Sequence, residues 1–344
     1  MTPKITMQQL ANGAGVSTAT VSRVLTGHPL VSEETRKRVQ GLIDRYDYRP
    51  NSVARSLVRQ QSNMLGMLVQ DIGNPYFAAM YLQAEKLANQ RGYTLLMTSS
   101  LSFQNERESA LALMERQVDG MIMISTNVDM KQPTKETLEF METARRKLPI
   151  ILINEPVPAF AGPYVTPENR EGYLAATRYL LSLGHRELAF IGGNDDTNTV
   201  HLRYTAFCDS LSEYGLTPDP SLTCMTGSTA DSGAQGMLHI LELGRLPSAI
   251  ITFNDLVALG VLKVCTQQNL RVPDDLSIIS CDNSYISRGL MPELTSIDIQ
   301  PELQGEQAVE AMLRLMENKE VPQSVIRIPS KLIVRGSTAR PRRG

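Results

Sequence analysis

The chain has 344 residues with a normal apolar share and 23 Gly and 19 Pro scattered along it, which predicts two or three packed domains and excludes fibrous and disordered classes. Its formal charge of -2 conceals an asymmetry: residues 1–60 hold nine Lys and Arg against four Asp and Glu, and the remainder 25 against 32. A basic head on an acidic body directs the search for a polyanionic partner to the N-terminal end.

The first residues, MTPKITMQQL, lack the basic-then-apolar pattern of a secretory signal, and no apolar run approaches the ~20 residues of a membrane span. A soluble, cytoplasmic protein with no membrane partner is expected. Residues 5–46 read as three short helices with their own start signals. Thr6 and Gln9 form a T-x-x-Q capping box with Ile5 stapled on Leu10, Ser17 caps the second helix, and Ser32 the third. The third carries Val39, Leu42, Ile43 and Tyr46 at helical spacing, and the NGAG stretch before the second is the tight turn of a helix-turn-helix. In the second helix Val21, Val24 and Leu25 make the inner stripe, so Thr18, Ala19, Ser22 and Arg23 face outward. A helix with a small, hydroxyl-bearing start and an arginine one turn later suits a major groove, where bulk would block approach and a guanidinium can fork onto guanine or phosphate. RPNSVARSLVRQQ follows, with Asn51 able to cap a helix of about two turns, too short to hold alone.

From Ser62 onward apolar runs alternate with helical stretches. MLGMLVQ, YTLLMTS, DGMIMIS and PIILIN, with helices from Pro75 and near Gln104 and Thr134, make one set. ELAFIGG, a strand near Leu222, SAIITF and LSIISC, with helices from Asn169, through Arg203, and from Asp231 and Asn254, make a second. Two such sets predict two doubly wound parallel sheets. Ligands of open α/β sheets lie beyond the carboxyl ends of the strands, where the first polar residues are Asp71, Asn154, Asn254 with Asp255, and Asp282 with Asn283. These converge, with Arg203, only in a cleft between facing lobes; the alternative for Asn254 is a helix cap. Cys208, Cys224, Cys265 and Cys281 show no CxxC spacing, so neither zinc nor disulfides are expected. His28, His185, His201 and His239 lack acidic or cysteine partners at motif spacing, which leaves no catalytic residue, cofactor or metal site to name.

The segment from ITMQQL to ARSL, with A-G-V-S-x-x-T-V-S-R-V-L, V-S-x-x-T-R-x-R-V and Y-R-P-N-x-x-A-R-S-L, resembles the DNA-binding headpiece of the LacI/GalR family of bacterial transcriptional regulators. D-x-x-N-P-x-F from Asp71, L-G-H-R-E-L-A-F-I-G, F-N-D-L-V-A-L-G and V-P-D-D-L-S-I-I resemble its effector-binding core. The resemblance implies a small all-α helix-turn-helix headpiece plus an α/β two-lobed periplasmic-binding-protein-like effector domain. Residues 1–50 would be the headpiece, 51–61 the hinge helix, and 62–344 the effector and dimerisation domain. Lobe 1 would span about 62–162 and 292–324, and lobe 2 about 163–291 and 325–340, with crossings near Gly162, Met291 and Val325. It further implies that Thr18 and Ala19 read bases, that Arg23 contacts base or phosphate, and that Thr6, Ser17, Thr20, Ser22, Asn51, Ala54 and Arg55 lie at the DNA. Leu57 would wedge into the minor groove. Effector contacts would fall to Asp71, Phe77, Asn154, Arg203, Asn254 and Asp282.

Where the family often has D-R after the PIILI strand, this chain has Asn154 and Glu155, and the usual D-N appears as Glu168 and Asn169. An aromatic for stacking on a sugar is replaced within TGSTADSG by Ser228 and Thr229. The STARPRRG tail has no heptads, which favours a homodimer over a tetramer. The expected protein is a repressor of a near-palindromic operator on double-stranded DNA, controlled by a small ligand, first a carbohydrate. A transport-type solute-binding protein and a regulator responding to nucleosides or small acids are the alternatives.

Overall fold

A computed structural model of the protein describes residues 5–25, 28–48, 61–100, 103–158, 160, 162–319, 321 and 324–342. The expectations for Asn51, Ala54, Arg55 and Leu57 lie outside these residues. The chain divides into two compact units, Met1–Ser62 and Asn63–Gly344.

In the first unit α1 (Met7–Ala14), α2 (Thr18–Leu25) and α3 (Glu33–Arg45) enclose a small core of Leu10, Ala11, Ala14, Val21, Val24 and Val39. The Thr6–Gln9 capping box forms, Ser17 Oγ accepts from Thr20 N at 3.2 Å, and Ser32 caps α3. Two details differ from expectation. Asn12, Gly13 and Ala14 continue α1, and the turn is made by Gly15, whose φ of 62° is reached without the steric cost a side chain would bring. Tyr46 is exposed at the end of α3, and Tyr48 packs on the core in its place. The helical spacing holds only until α3 stops.

In the second unit the described strands form two six-stranded sheets. The first contains β1 (Met64–Val69), β2 (Thr94–Ser99), β3 (Gly120–Met123), β4 (Ile150–Ile153), β5 (Tyr164–Pro167) and β11 (Val325–Ile328), ordered β11-β5-β4-β3-β1-β2 and parallel throughout. The second contains β6 (Leu188–Ile191), β7 (Thr223–Cys224), β8 (Ala249–Thr252), β9 (Ser277–Cys281), β10 (Thr295–Asp298) and β12 (Lys331–Ile333), ordered β12-β10-β9-β8-β6-β7. Only its edge strand β12 runs antiparallel, against β10. Helices cover both faces of each sheet: α4 (Pro75–Gln90), α5 (Phe103–Glu115), the single turn α6 (Thr126–Asp129) and α7 (Lys135–Arg145) belong to lobe 1. Lobe 2 carries α8 (Asn169–Leu183), α9 (Asn198–Glu213), α10 (Ala230–Glu242), α11 (Asp255–Gln267) and the short α12 (Tyr285–Gly289). The last helix, α13 (Pro301–Met316), returns to lobe 1. Each sheet therefore has an apolar cluster on either face, as near-continuous Ile, Leu, Val and Met strands require.

The crossings between lobes do not fall at Gly162, Met291 and Val325. β5 and β11 belong to the first sheet and β10 to the second, so the chain crosses at Glu168, at Ile299–Gln300 and at Pro329–Ser330. Gly162 and Met291 precede, and Val325 begins, a strand that still completes the sheet being left. The crossing segments are tied together, Glu168 N donating to Ile328 O at 2.8 Å and Gln300 Nε2 donating to Pro329 O. Cys224, Cys265 and Cys281 are buried free thiols, and Cys208 is half-buried.

Helices α10 and α11 pack closely through glycines. A Cβ on Gly260 would run into the Ala230 carbonyl, and one on Gly233 into that of Val257, both backbone atoms that cannot rotate aside. Gly260→Ala should therefore lower stability by about 1–3 kcal/mol despite alanine's better helix propensity. A urea midpoint for the full-length variant equal to or above wild type would show that this contact relaxes freely.

Candidate functional site

Between the two lobes lies a cavity of about 570 Å³. Its walls come from the carboxyl ends of β1, β3, β4, β8 and β9 and from the first turns of α4, α9 and α11. All six residues expected at an effector site line it: Asp71, Phe77, Asn154, Arg203, Asn254 and Asp282. Their environments differ sharply.

Arg203 is the buried centre. Its Nε donates to Asn169 Oδ1 at 2.9 Å and its Nη1 to the Phe253 carbonyl at 2.8 Å. The guanidinium lies between aromatic rings, 4.6 Å from the Phe253 centroid and 5.4 Å from that of Tyr173, a cation–π arrangement strengthened by exclusion of water. Asn169 Nδ2 in turn donates to Glu155 Oε1 at 2.7 Å. The chain Glu155–Asn169–Arg203 thus runs from lobe 1 into lobe 2.

The two asparagines serve structure first. Asn154 Oδ1 accepts from Ser125 N and its Nδ2 donates to Ser125 O, both at 2.9 Å, clamping the end of β3 to the end of β4. Asn254 caps α11 through Val257 N at 2.8 Å and donates to Ser228 O at 3.0 Å. Asp71 Oδ1 accepts from Gly73 N at 2.8 Å, fixing the turn into α4. Asp282 is buried with a φ of 100°, a backbone conformation side-chain-bearing residues rarely adopt, which aims the end of β9 into the cleft. Burial and the neighbouring Asp255 push its carboxyl well above the usual range, while Arg203 opposes the rise.

Asp129 was not anticipated. It lies beyond the first polar residue after β3, in α6, a turn capped by Ser125 Oγ, whose amides at Thr126 and Asn127 bond Glu106. The side chain is 6 % exposed, its Oδ2 accepts from Thr199 N at 3.3 Å across the lobes, and its Oδ1 has no hydrogen-bond partner. Burial, partly offset by the Thr199 hydroxyl and amide, pushes its pKa up to about 7. The same edge is bridged by Asn198 Nδ2 to Met130 O at 3.1 Å, Lys131 N to Asp196 O at 2.8 Å, and Lys131 Nζ to Asp195 at 2.9 Å. Phe253 and Tyr76 were also missed, so the cavity has aromatic walls although Ser228 and Thr229 supply none. Reading only the first polar residue past each strand passed over all three.

In the N-terminal unit Ala19, Ser22 and Arg23 are exposed on α2 and Thr18 is half-buried, while Ser17 and Thr20 hydroxyls lie 3.0 Å apart at its cap. Residues 6–51 match the family model described as bacterial regulatory proteins, lacI family, and residues 177–338 match that of the periplasmic binding protein-like domain. Catabolite control protein A of Priestia megaterium is 32% identical over 337 residues, 97% of this chain and 99% of the relative. The chain belongs to the LacI family. Another relative, the HTH-type transcriptional repressor CytR of Escherichia coli K12, is 31% identical over 97% of this chain and 96% of its own. The fold matches that of the Lac repressor dimer bound to operator and the anti-inducer ONPF, with a TM-score of 0.87 at 24% identity, covering 97% of this chain and 99% of that one. A transcriptional regulator CelR in complex with cellobiose gives a TM-score of 0.72 at 25% identity, over 97% of this chain and 99% of its own.

This member of the LacI family is therefore a transcriptional regulator with a helix-turn-helix DNA-binding module and a two-lobed domain of periplasmic-binding type. The relatives named are regulators, not enzymes. No described helix is long and apolar enough to cross a membrane. No group of three or more His, Cys, Asp and Glu among the described residues is arranged to hold a metal ion.

Asp129 gives the regulator a pH-dependent liability. Its folded pKa, about 7, exceeds the ordinary 3.8, so the folded state binds this proton more tightly. The resulting stability is complete below the unfolded pKa and is lost as pH rises through about 7. Asp129→Asn should raise stability at pH 8 by up to an amount on the order of 4 kcal/mol, seen as a higher melting temperature, and by progressively less toward pH 5. A melting difference independent of pH would show that Asp129 is ionised throughout.

Proposed function

We propose that the chain is a dimeric repressor of a near-palindromic operator whose affinity is set by a small polyhydroxylated ligand, a sugar or sugar derivative, in the cleft. The observation that carries this is one chain presenting an exposed helix face of Ala19, Ser22 and Arg23 together with a 570 Å³ cleft rich in carboxylates and amides. Small residues permit close approach to base edges, and Arg23 supplies a guanidinium for guanine or phosphate. The cleft has the size of a small-ligand pocket, with Phe77 and Phe253 as apolar walls and polar groups to fix orientation. That the similar CelR structure contains cellobiose supports a carbohydrate.

The mechanism follows from the three crossings. A ligand that bonds both lobes favours one angle between them, and a coupling of ~1–3 kcal/mol changes operator affinity 5- to 150-fold, with the operator altering ligand affinity by the same factor. Leu57, outside the described residues, is assigned here to the minor groove, where it would kink the duplex and allow two headpieces to engage together.

Selection from a random duplex pool by the full-length protein should recover a short near-palindrome whose binding changes with one member of a sugar panel. Arg23→Ala should weaken the selected duplex by about 1–3 kcal/mol and relax its preferred sequence. Leu57→Ala should reduce specific binding far more than non-specific binding. A pool showing only steeply salt-dependent binding without sequence preference would overturn the operator reading.

A further inference from the structure

The two lobes are joined at the cleft edge as well as through the three crossings. Met130 and Thr197 pair as an antiparallel bridge, Lys131 N donates to Asp196 O at 2.8 Å, and Asn198 Nδ2 donates to Met130 O at 3.1 Å. Lys131 Nζ pairs with Asp195 at 2.9 Å. Every bond of this strap is made between protein groups. Asp129 stands at its lobe 1 end, with Oδ2 accepting from Thr199 N of lobe 2 at 3.3 Å and Oδ1 sealed from solvent without a hydrogen-bond partner. Parting the lobes would break the Thr199 bond and admit water to the carboxyl. Hydration favours the ionised form far more than the neutral one, and a neutral hydroxyl left unpaired costs less than an unpaired charge.

We propose that residues 129–131 and 195–199 form a strap that holds the cleft closed by protein groups alone, and that Asp129 makes its release proton-linked. Closure takes up a proton at this carboxyl, and opening returns it to water. The strap works in this way whatever molecule the cleft binds, so proton concentration is an input to the regulator besides its ligand.

The charges around Asp129 come from several elements. Glu155, following β4, disfavours ionisation and Arg203 on α9 favours it. Glu106 on α5 is taken up by Ser125 Oγ and the amides of Thr126 and Asn127, Lys131 and Asp195 meet each other, and Asp196 is exposed. Burial outweighs these influences and holds the carboxyl at about 7, above the ordinary 3.8. Because the closed form has the raised pKa, its advantage is complete in acid and is lost as pH rises through about 7. Where opening restores the ordinary value, the opening equilibrium grows by up to about tenfold per pH unit toward 7 and levels off above it.

Two amides report the strap directly. Lys131 N has the Asp196 carbonyl as its acceptor, and Thr199 N lies in the first turn of α9, where no intrahelical acceptor exists, and is held by Asp129. The test is amide hydrogen exchange at both positions in the full-length protein with no small molecule added. It is read residue by residue between pH 5 and 8.5 and corrected for the intrinsic pH-dependence of exchange. Both amides are expected to be protected at pH 5, to lose protection together by up to about a hundredfold at pH 7, and to change little beyond. Ile151, inside β4, should keep its protection throughout. Asp129→Asn still offers Thr199 N an acceptor and never ionises, so it should flatten the profile and leave both amides protected at pH 8. Unprotected amides at pH 5, a wild-type profile independent of pH, a parallel loss at Ile151, or a wild-type slope that survives Asp129→Asn overturns the proposal. The wild-type profile suffices for the first three outcomes even where the variant does not fold.

Discussion

A guanidinium buried between two aromatic rings is the constraint around which the cleft is organised. Arg203 enters from α9 of lobe 2 and is 5 % exposed, so its charge must be met inside the protein. Asn169 and the Phe253 carbonyl meet it directly, and Asn169 hands the connection on to Glu155 at the end of β4 in lobe 1. Three of those groups sit where a strand ends or a helix begins, so one buried cation fixes how β4, α8 and the β8–α11 turn approach one another. Asp282, held at a left-handed backbone angle, places its carboxyl in the same field.

The second constraint is mechanical. Three segments cross between the lobes side by side, bonded through Glu168 to Ile328 and Gln300 to Pro329, while the cleft edge is bridged by residues 129–131 and 195–199. Side-by-side crossings define an axis about which the lobes can turn, and the bridged edge lies on the path of that turn. A ligand shifts such an equilibrium only by its differential contacts with the two arrangements. Groups contacted from one lobe alone cannot couple, and those engaged by both, such as Asp129 and Asn169, can.

Much of this was legible in the sequence because it rests on local rules. The caps at Thr6, Ser17 and Ser32 and the apolar strands flanked by helices required no tertiary information. Asp71, Asn154, Asn254 and Asp282 followed from a topological rule that holds wherever parallel strands end, whereas Phe77 came only with the family resemblance. What escaped was set by distant pairing. Whether β5 and β11 complete the sheet they leave depends on partners far away in sequence, so the crossings were placed too early. Asp129 lies in a one-turn helix held by Glu106 and Ser125, whose existence no periodicity announces. The exposed Tyr46 shows the opposite error, a periodic apolar position extended past the point where the helix stops.

The departure at Asn154 and Glu155 now has a physical meaning. A D-R pair after β4 would put a carboxylate at position 154 and a cation at 155. Here the amide of Asn154 takes both backbone groups of Ser125, a pairing an ionised carboxylate, with no donor, cannot complete. Glu155 removes the cation and supplies the acceptor that Asn169 requires. The exchange leaves Arg203 as the one Lys, Arg or His among the described residues lining the cleft, with Nε and Nη1 committed to Asn169 and the Phe253 carbonyl. A cleft built this way is shaped by what it lacks as much as by what it holds. What the cleft offers a ligand is set by that exchange together with the polar groups that both lobes bring to its wall.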